Sequence, residues 1–158
     1  MENRKKLAMV VFSGDMDKLF AAFSIATGAA ASNMDVAMFF TFWGLRALKK
    51  NVRTGKSFLG RLLGIFYGGD INRASPSKMS FGGIGRWMFR KMMKAKRLPS
   101  LAELRQTALD LGVKLYGCQM SMGVMEIPRE KMIDDVAQCV GVATFIEQAS
   151  QADVTLFV

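Results

Sequence analysis

Histidine is absent from this 158-residue chain. That removes Ser-His-Asp and Cys-His mechanisms and leaves no imidazole to ligate a metal. The two cysteines, Cys118 and Cys139, make no disulfide framework in a chain of this size, and a reducing compartment keeps both as thiols. They assemble no zinc site either, unless carboxylates or a second subunit contribute. Long apolar runs are also missing. The most apolar stretch, Val36 to Trp43, is too short to cross a bilayer, and the wider window around it is interrupted by Asn33 and Asp35. Leu7 to Phe12, bracketed by Glu2 and Asp15, is too short for a signal peptide and lacks a small-residue cleavage site. A cytoplasmic location is expected.

Acidic residues are nearly missing from the middle of the chain. From Arg46 to Arg97 there are 14 Lys/Arg against Asp70 alone, a net +13, while the remainder holds 8 basic and 12 acidic residues, a net −4, giving +9 in all. The same segment carries Gly68-Gly69, Gly82-Gly83-Ile84-Gly85 and the turn-prone Ser75-Pro76-Ser77. It reads as a basic insertion, at about 46–97, in one α/β domain spanning 1–158. An apolar fraction of 51% is high for a chain that fills one domain and predicts further burial between subunits, so an oligomer is expected.

Outside the insertion, short apolar runs alternate with helical periods. Leu7 to Phe12 reads as a buried strand, Lys18 to Ala31 as a helix capped by Asp15 or Asp17, and Val36 to Phe42 as a second strand. Pro99 and Ser100 open a helix through Leu101 to Leu111, which Gly112 ends. Val113 to Gly117 is a strand, Gly141 to Ala149 a helix and Val154 to Val158 a last strand, with a weakly marked strand near Asp135 to Gln138. Strands separated by helices predict a mostly parallel five-stranded sheet with helices on both faces. Within the insertion, Ile84 to Arg97 reads as a helix with Ile84, Met88, Phe89, Met92 and Met93 on one side and Arg86, Arg90, Lys94 and Arg97 on the other. Three readings suit it: a subunit-packing helix with a solvated basic face, a Met-rich docking surface, or a helix on a membrane surface.

Several motifs fail in context. Gly55-Lys56-Ser57 ends like a phosphate-binding loop, but Lys50 stands where that loop needs its first glycine. Gly83-Ile84-Gly85 lacks the third glycine of a dinucleotide fingerprint and does not follow the first strand, so no nicotinamide, flavin or other cofactor is expected. The aromatics of the basic segment do not alternate with cations as stacking platforms would, which argues against nucleic acid as a partner.

The remaining candidate for chemistry is Cys118. The run Val113 to Tyr116 breaks at Gly117 and passes into Gln119-Met120-Ser121-Met122-Gly123, placing the thiol at a strand's carboxyl end, where open α/β folds hold their sites. If Met120 to Met125 begins a helical turn, its free amides face the sulfur, Ser121 adds a hydroxyl, and the thiolate is favoured. Cys118 as a small buried hydrophobe is the alternative. Cys139 suits packing, or a resolving thiol if folding brings it within disulfide range.

Three segments together resemble the DsrE/DsrF-like sulfur-relay family, in its DsrE-like branch sometimes labelled peroxiredoxin-like. They are Phe39-Phe40-Thr41-Phe42-Trp43-Gly44-Leu45, Cys118-Gln119-Met120-Ser121-Met122, and Gly141-Val142-Ala143-Thr144-Phe145 with Ala152-Asp153-Val154-Thr155-Leu156-Phe157. The resemblance implies a flavodoxin-like three-layer α/β/α fold, a trimer or hexamer, and a cysteine at the position of Cys118 that carries persulfide sulfur between donor and acceptor proteins. Trp43, Gly44, Gln119, Met120 and Ser121 are then candidate substrate-binding residues. The alternative function is a non-catalytic oligomeric adaptor, its basic Met-rich insertion binding a partner protein or an acidic membrane surface.

Overall fold

Five short strands form one sheet in the computed structural model, which describes residues 4–158. They are β1 (Lys6–Val11), β2 (Asp35–Phe40), β3 (Lys114–Cys118), β4 (Gln138–Val140) and β5 (Val154–Phe157). In space the order is β4-β3-β2-β1-β5, and every neighbouring pair is parallel. Parallel strands covered on both faces favour continuous apolar runs, as β1 and β2 show. The weakly marked strand lies a few residues later than its sequence suggests. Asp134 is drawn into an ion pair with Lys50 at 2.9 Å, and pairing with β3 begins only at Gln138.

Strand alternation sorts the side chains onto two faces. Leu7, Met9, Val11, Met38, Phe40 and Leu115 join the larger core with α1 (Met16–Ala31) and α4 (Leu101–Asp110). Ala8, Phe39, Tyr116, Cys118 and Val140 face the other way, where α6 (Val142–Ala149) stacks Phe145 on Phe39 with ring centroids 4.6 Å apart. The result is the three-layer α/β/α arrangement. The α4 start follows the sequence closely: the Glu103 amide donates to Ser100 Oγ, the Ser100 amide donates to the Glu103 carboxylate at 2.7 Å, and Gly112, at φ +82°, closes the far end.

The start of α1 differs from expectation. Asp15 occupies the cap position without a capping hydrogen bond, and Asp17 caps nothing. Its carboxylate instead accepts from the Ser77 amide at 2.8 Å and the Ser77 hydroxyl at 2.5 Å, fastening the basic segment to the sheet's carboxyl edge. That segment contains two helices, α2 (Phe58–Phe66) and α3 (Ile84–Ala95). Among α3 residues only Gly85 is fully buried, and the predicted apolar side divides: Met93 packs on the core and Met88 is half-buried, while Ile84, Phe89 and Met92 lie exposed. Arg86, Arg90, Lys94 and Arg97 border an open cleft beside the body, which Met93 also lines.

Candidate functional site

Cys118 ends β3 and occupies the cap position of the six-residue helix α5 (Gln119–Val124). The strand does not break at Gly117, as its sequence suggests, but pairs on both sides there and runs through to Cys118; a Cβ at Gly117 would come 3.3 Å from Met122 Sδ, the end of a flexible side chain. The sulfur is covered, with Cys118 at 0% exposure, beside the cluster that includes Phe39, Val140 and Phe145. Burial pushes the thiol pKa up. The Ser121 hydroxyl and amide, the Thr41 hydroxyl and the Met120 amide pull it down, and the balance lies below the ordinary thiol value. None of these groups closes a formal capping hydrogen bond to the sulfur.

Ser121 is fully buried, and its Oγ shares a 2.7 Å hydrogen bond with Thr41 Oγ1 across from the end of β2. Thr41 escaped the sequence reading. Its signal was a lone hydroxyl inside the apolar run Phe39 to Trp43, one residue past a strand end. Replacing Ser121 by Ala removes the hydroxyl closest to the thiol in effect and leaves Thr41 without its partner. In a Cys139→Ser background, the pH profile of Cys118 alkylation should therefore move upward, with the rate at neutral pH several-fold lower. Because the folded thiol has the lower pKa, its thiolate stabilises the fold above the unfolded value, and that contribution is lost as pH falls through the folded value.

The other candidate residues divide into two groups. Gln119 and Met120 sit beside the thiol on α5. Gln119 Nε2 donates to the Cys139 carbonyl at 2.9 Å, and the Met120 side chain is exposed. Trp43 and Gly44 stand on the β1 side of the same sheet edge. The Gly44 amide donates to the Phe12 carbonyl at 2.8 Å, and a Cβ there would run into the Val11 carbonyl, so glycine is demanded by packing. The Trp43 carbonyl accepts from the Tyr67 hydroxyl at 2.8 Å, while burial pushes that phenol up to about 12. Arg46 lies 3.6 Å over the Tyr67 ring, buried, with its Nε unpartnered among the described residues.

Cys139 lies opposite Gly117 in the β3–β4 register, and Cys118 lies opposite Val140. The two sulfurs therefore belong to opposite faces of the sheet, which rules out a disulfide between them without breaking the register. Burial also pushes the Cys139 thiol up, the reverse of Cys118.

A second feature holds α5 in place. Glu126, just beyond its end, accepts from the Ser57 amide at 2.8 Å, from the Ser57 hydroxyl at 2.5 Å and from the Lys56 amide. The segment that ends like a phosphate loop thus grips a carboxylate of its own chain, and the Ser57 hydroxyl with these amides holds that carboxyl below its usual range. Among the described residues no three Cys, Asp or Glu converge as metal ligands, and no helix is long and apolar enough to cross a membrane.

Similarity to other proteins covers the whole of this architecture. The chain is 36% identical to a Bacillus subtilis protein named uncharacterized protein YrkE, over 99% of each chain. It is 30% identical to the sulfur carrier protein DsrE2 of Allochromatium vinosum, over 98% of this chain and 99% of that one. The fold matches the crystal structure of the ychN protein from E. coli with a TM-score of 0.60 at 13% identity, covering 98% and 99% of the two chains. Residues 3–157 match the DsrE/DsrF/DrsH-like family, and with a five-stranded parallel sheet of the same fold the chain belongs to that family.

Proposed function

We propose that this protein is a sulfur carrier in which Cys118 holds sulfane sulfur as a persulfide. The observation that carries the reading is a thiol at a strand's carboxyl end whose acidity is raised by amides and hydroxyls, with no imidazole in the chain. Loading needs no base. The Cys118 thiolate attacks the outer sulfur of a donor R–S–SH, a new S–S bond forms as the donor's S–S bond breaks, and R–S⁻ leaves. In release, an acceptor thiolate attacks the outer sulfur and the Cys118 thiolate departs. No net oxidation occurs in either step.

Incubating the Cys139→Ser variant with a polysulfide donor should add about 32 Da, the mass of one sulfur, by intact-mass measurement. Absence of that adduct on any cysteine of the wild type would overturn the reading and favour an adaptor role. The adaptor reading has its own support in α2, whose Phe58, Leu59, Ile65 and Phe66 are exposed. Donor and acceptor proteins would approach the carboxyl edge, where Phe12, Trp43, Met120 and Phe157 are exposed around the site. A homo-oligomer, expected as a trimer or hexamer, and a cytoplasmic setting belong to the same proposal.

Because Cys118 is covered, reaction requires local opening, and α5, a six-residue helix with Gln119, Met120, Gly123 and Val124 exposed and only Ser121 and Met122 buried, is the element that can supply it. Glu126 restrains that opening by fastening the segment after α5 to the start of α2. Glu126→Gln should therefore raise the alkylation rate of Cys118 several-fold with little change in its pH profile. An unchanged rate would show that opening occurs elsewhere.

A further inference from the structure

The basic side of α3 and the opening of α4 enclose a cleft of about 1050 Å³ that the relay chemistry does not use. Sites for small organic ligands typically measure roughly 300–1,000 Å³. Arg86, Arg90, Lys91, Lys94 and Arg97 line it together with Trp87. From Arg86 to Lys94 the helical rise spans about 12 Å, and Arg97 follows just past the end of α3, so the charges form a strip and not a point. The one carboxylate in the wall, Glu103, is occupied by its hydrogen bond from the Ser100 amide. Among the described residues the ion pairs are Arg4–Asp35, Lys18–Asp15 and Lys50–Asp134, none of which involves the strip. Arg86 donates to the Arg73 carbonyl at 3.0 Å, and the remaining four cations have no hydrogen-bond partner there.

An amphipathic helix ordinarily turns its whole apolar side to the body and its charges to water. On α3 only part of that side does so: Met93 packs on the core, Ile84 and Met92 are exposed, and the cations line one wall of the cleft beside Met93. Water and salt screen these largely exposed charges, and an anion in the cleft would relieve their mutual repulsion further. Three guanidinium groups offer paired donors that match phosphate oxygens. Trp87, more than half exposed with Lys91 5.1 Å above its ring, supplies an aromatic surface at one end of the strip.

We propose that this cleft binds an organic polyphosphate of the nucleotide class, with its phosphates along Arg90, Lys94 and Arg97 and its base against Trp87. The site is distinct from Cys118 and does not depend on the relay reading.

Calorimetric titration of the full chain with ATP, inorganic triphosphate and adenosine tests it. ATP should bind saturably, triphosphate more weakly and adenosine not at all, with affinity falling as salt is raised. ATP should quench the fluorescence of Trp43→Phe protein and not that of Trp87→Phe. Arg90→Glu/Lys94→Glu should weaken ATP binding by about tenfold or more, since charged hydrogen bonds are worth about that each. Lys5→Glu/Lys114→Glu, which changes the net charge equally at the opposite sheet edge, should leave binding nearly unchanged. Equal weakening by both double variants, no saturable ATP binding, or binding of an acidic peptide in preference to ATP would each overturn the proposal. Circular dichroism of the variants separates loss of the site from loss of the fold.

Discussion

Cys118→Ser protein incubated with a polysulfide donor should emerge with its mass unchanged, while Cys139→Ser protein gains about 32 Da. The loss is expected to be complete because the two positions are chemically unlike. The sulfur of Cys118 has hydroxyl and amide donors favouring its thiolate, whereas burial pushes Cys139 toward the neutral thiol. The serine should fold. Its hydroxyl is smaller than the thiol, and with Ser121 and Thr41 beside it the cost should be no more than about 1 kcal/mol. A normal melting profile with no loading would thus separate chemistry from stability. An adduct on Cys118→Ser protein would move the carrier role to Cys139.

Gly44→Ala should be the most damaging single methyl addition near the site, lowering stability by about 3 kcal/mol. A Cβ at this position meets the Val11 carbonyl, a backbone atom inside the sheet that cannot rotate away. Relief requires the Phe42–Leu48 turn to move as a unit, breaking the Gly44 bond to Phe12 and shifting Trp43 and Tyr67. Denaturant midpoints would measure it. A change under about 1 kcal/mol would show that the turn is looser than its packing indicates. Gly44, a substrate-binding candidate from the sequence, carries a packing duty that by itself demands glycine.

What could be read from the amino-acid order was local. Ser100, Glu103 and Gly112 mark both ends of α4, and the apolar run ending near Gly117 puts Cys118 at a strand end, though β3 runs one residue further than that run suggests. The polar pairings that finish the site are not local. Thr41 meets Ser121 across 80 positions, Asp17 meets Ser77 across 60, and Glu126 reaches Ser57 across 69. Each is a side chain that local rules assign to a cap, a turn or the solvent, and tertiary contact overrides them. The cleft bordered by the cations of α3 was hidden for a related reason. Periodicity separates two faces but does not say which one meets the body.

The register that sets Cys139 beside Gly117 also decides how a loaded molecule could be emptied. On the proposed persulfide reading, Cys139 behind the sheet leaves a single chain no way to expel sulfur by closing on itself, so discharge would be second-order in the receiving thiol. Left alone, a charged molecule would behave as a reservoir.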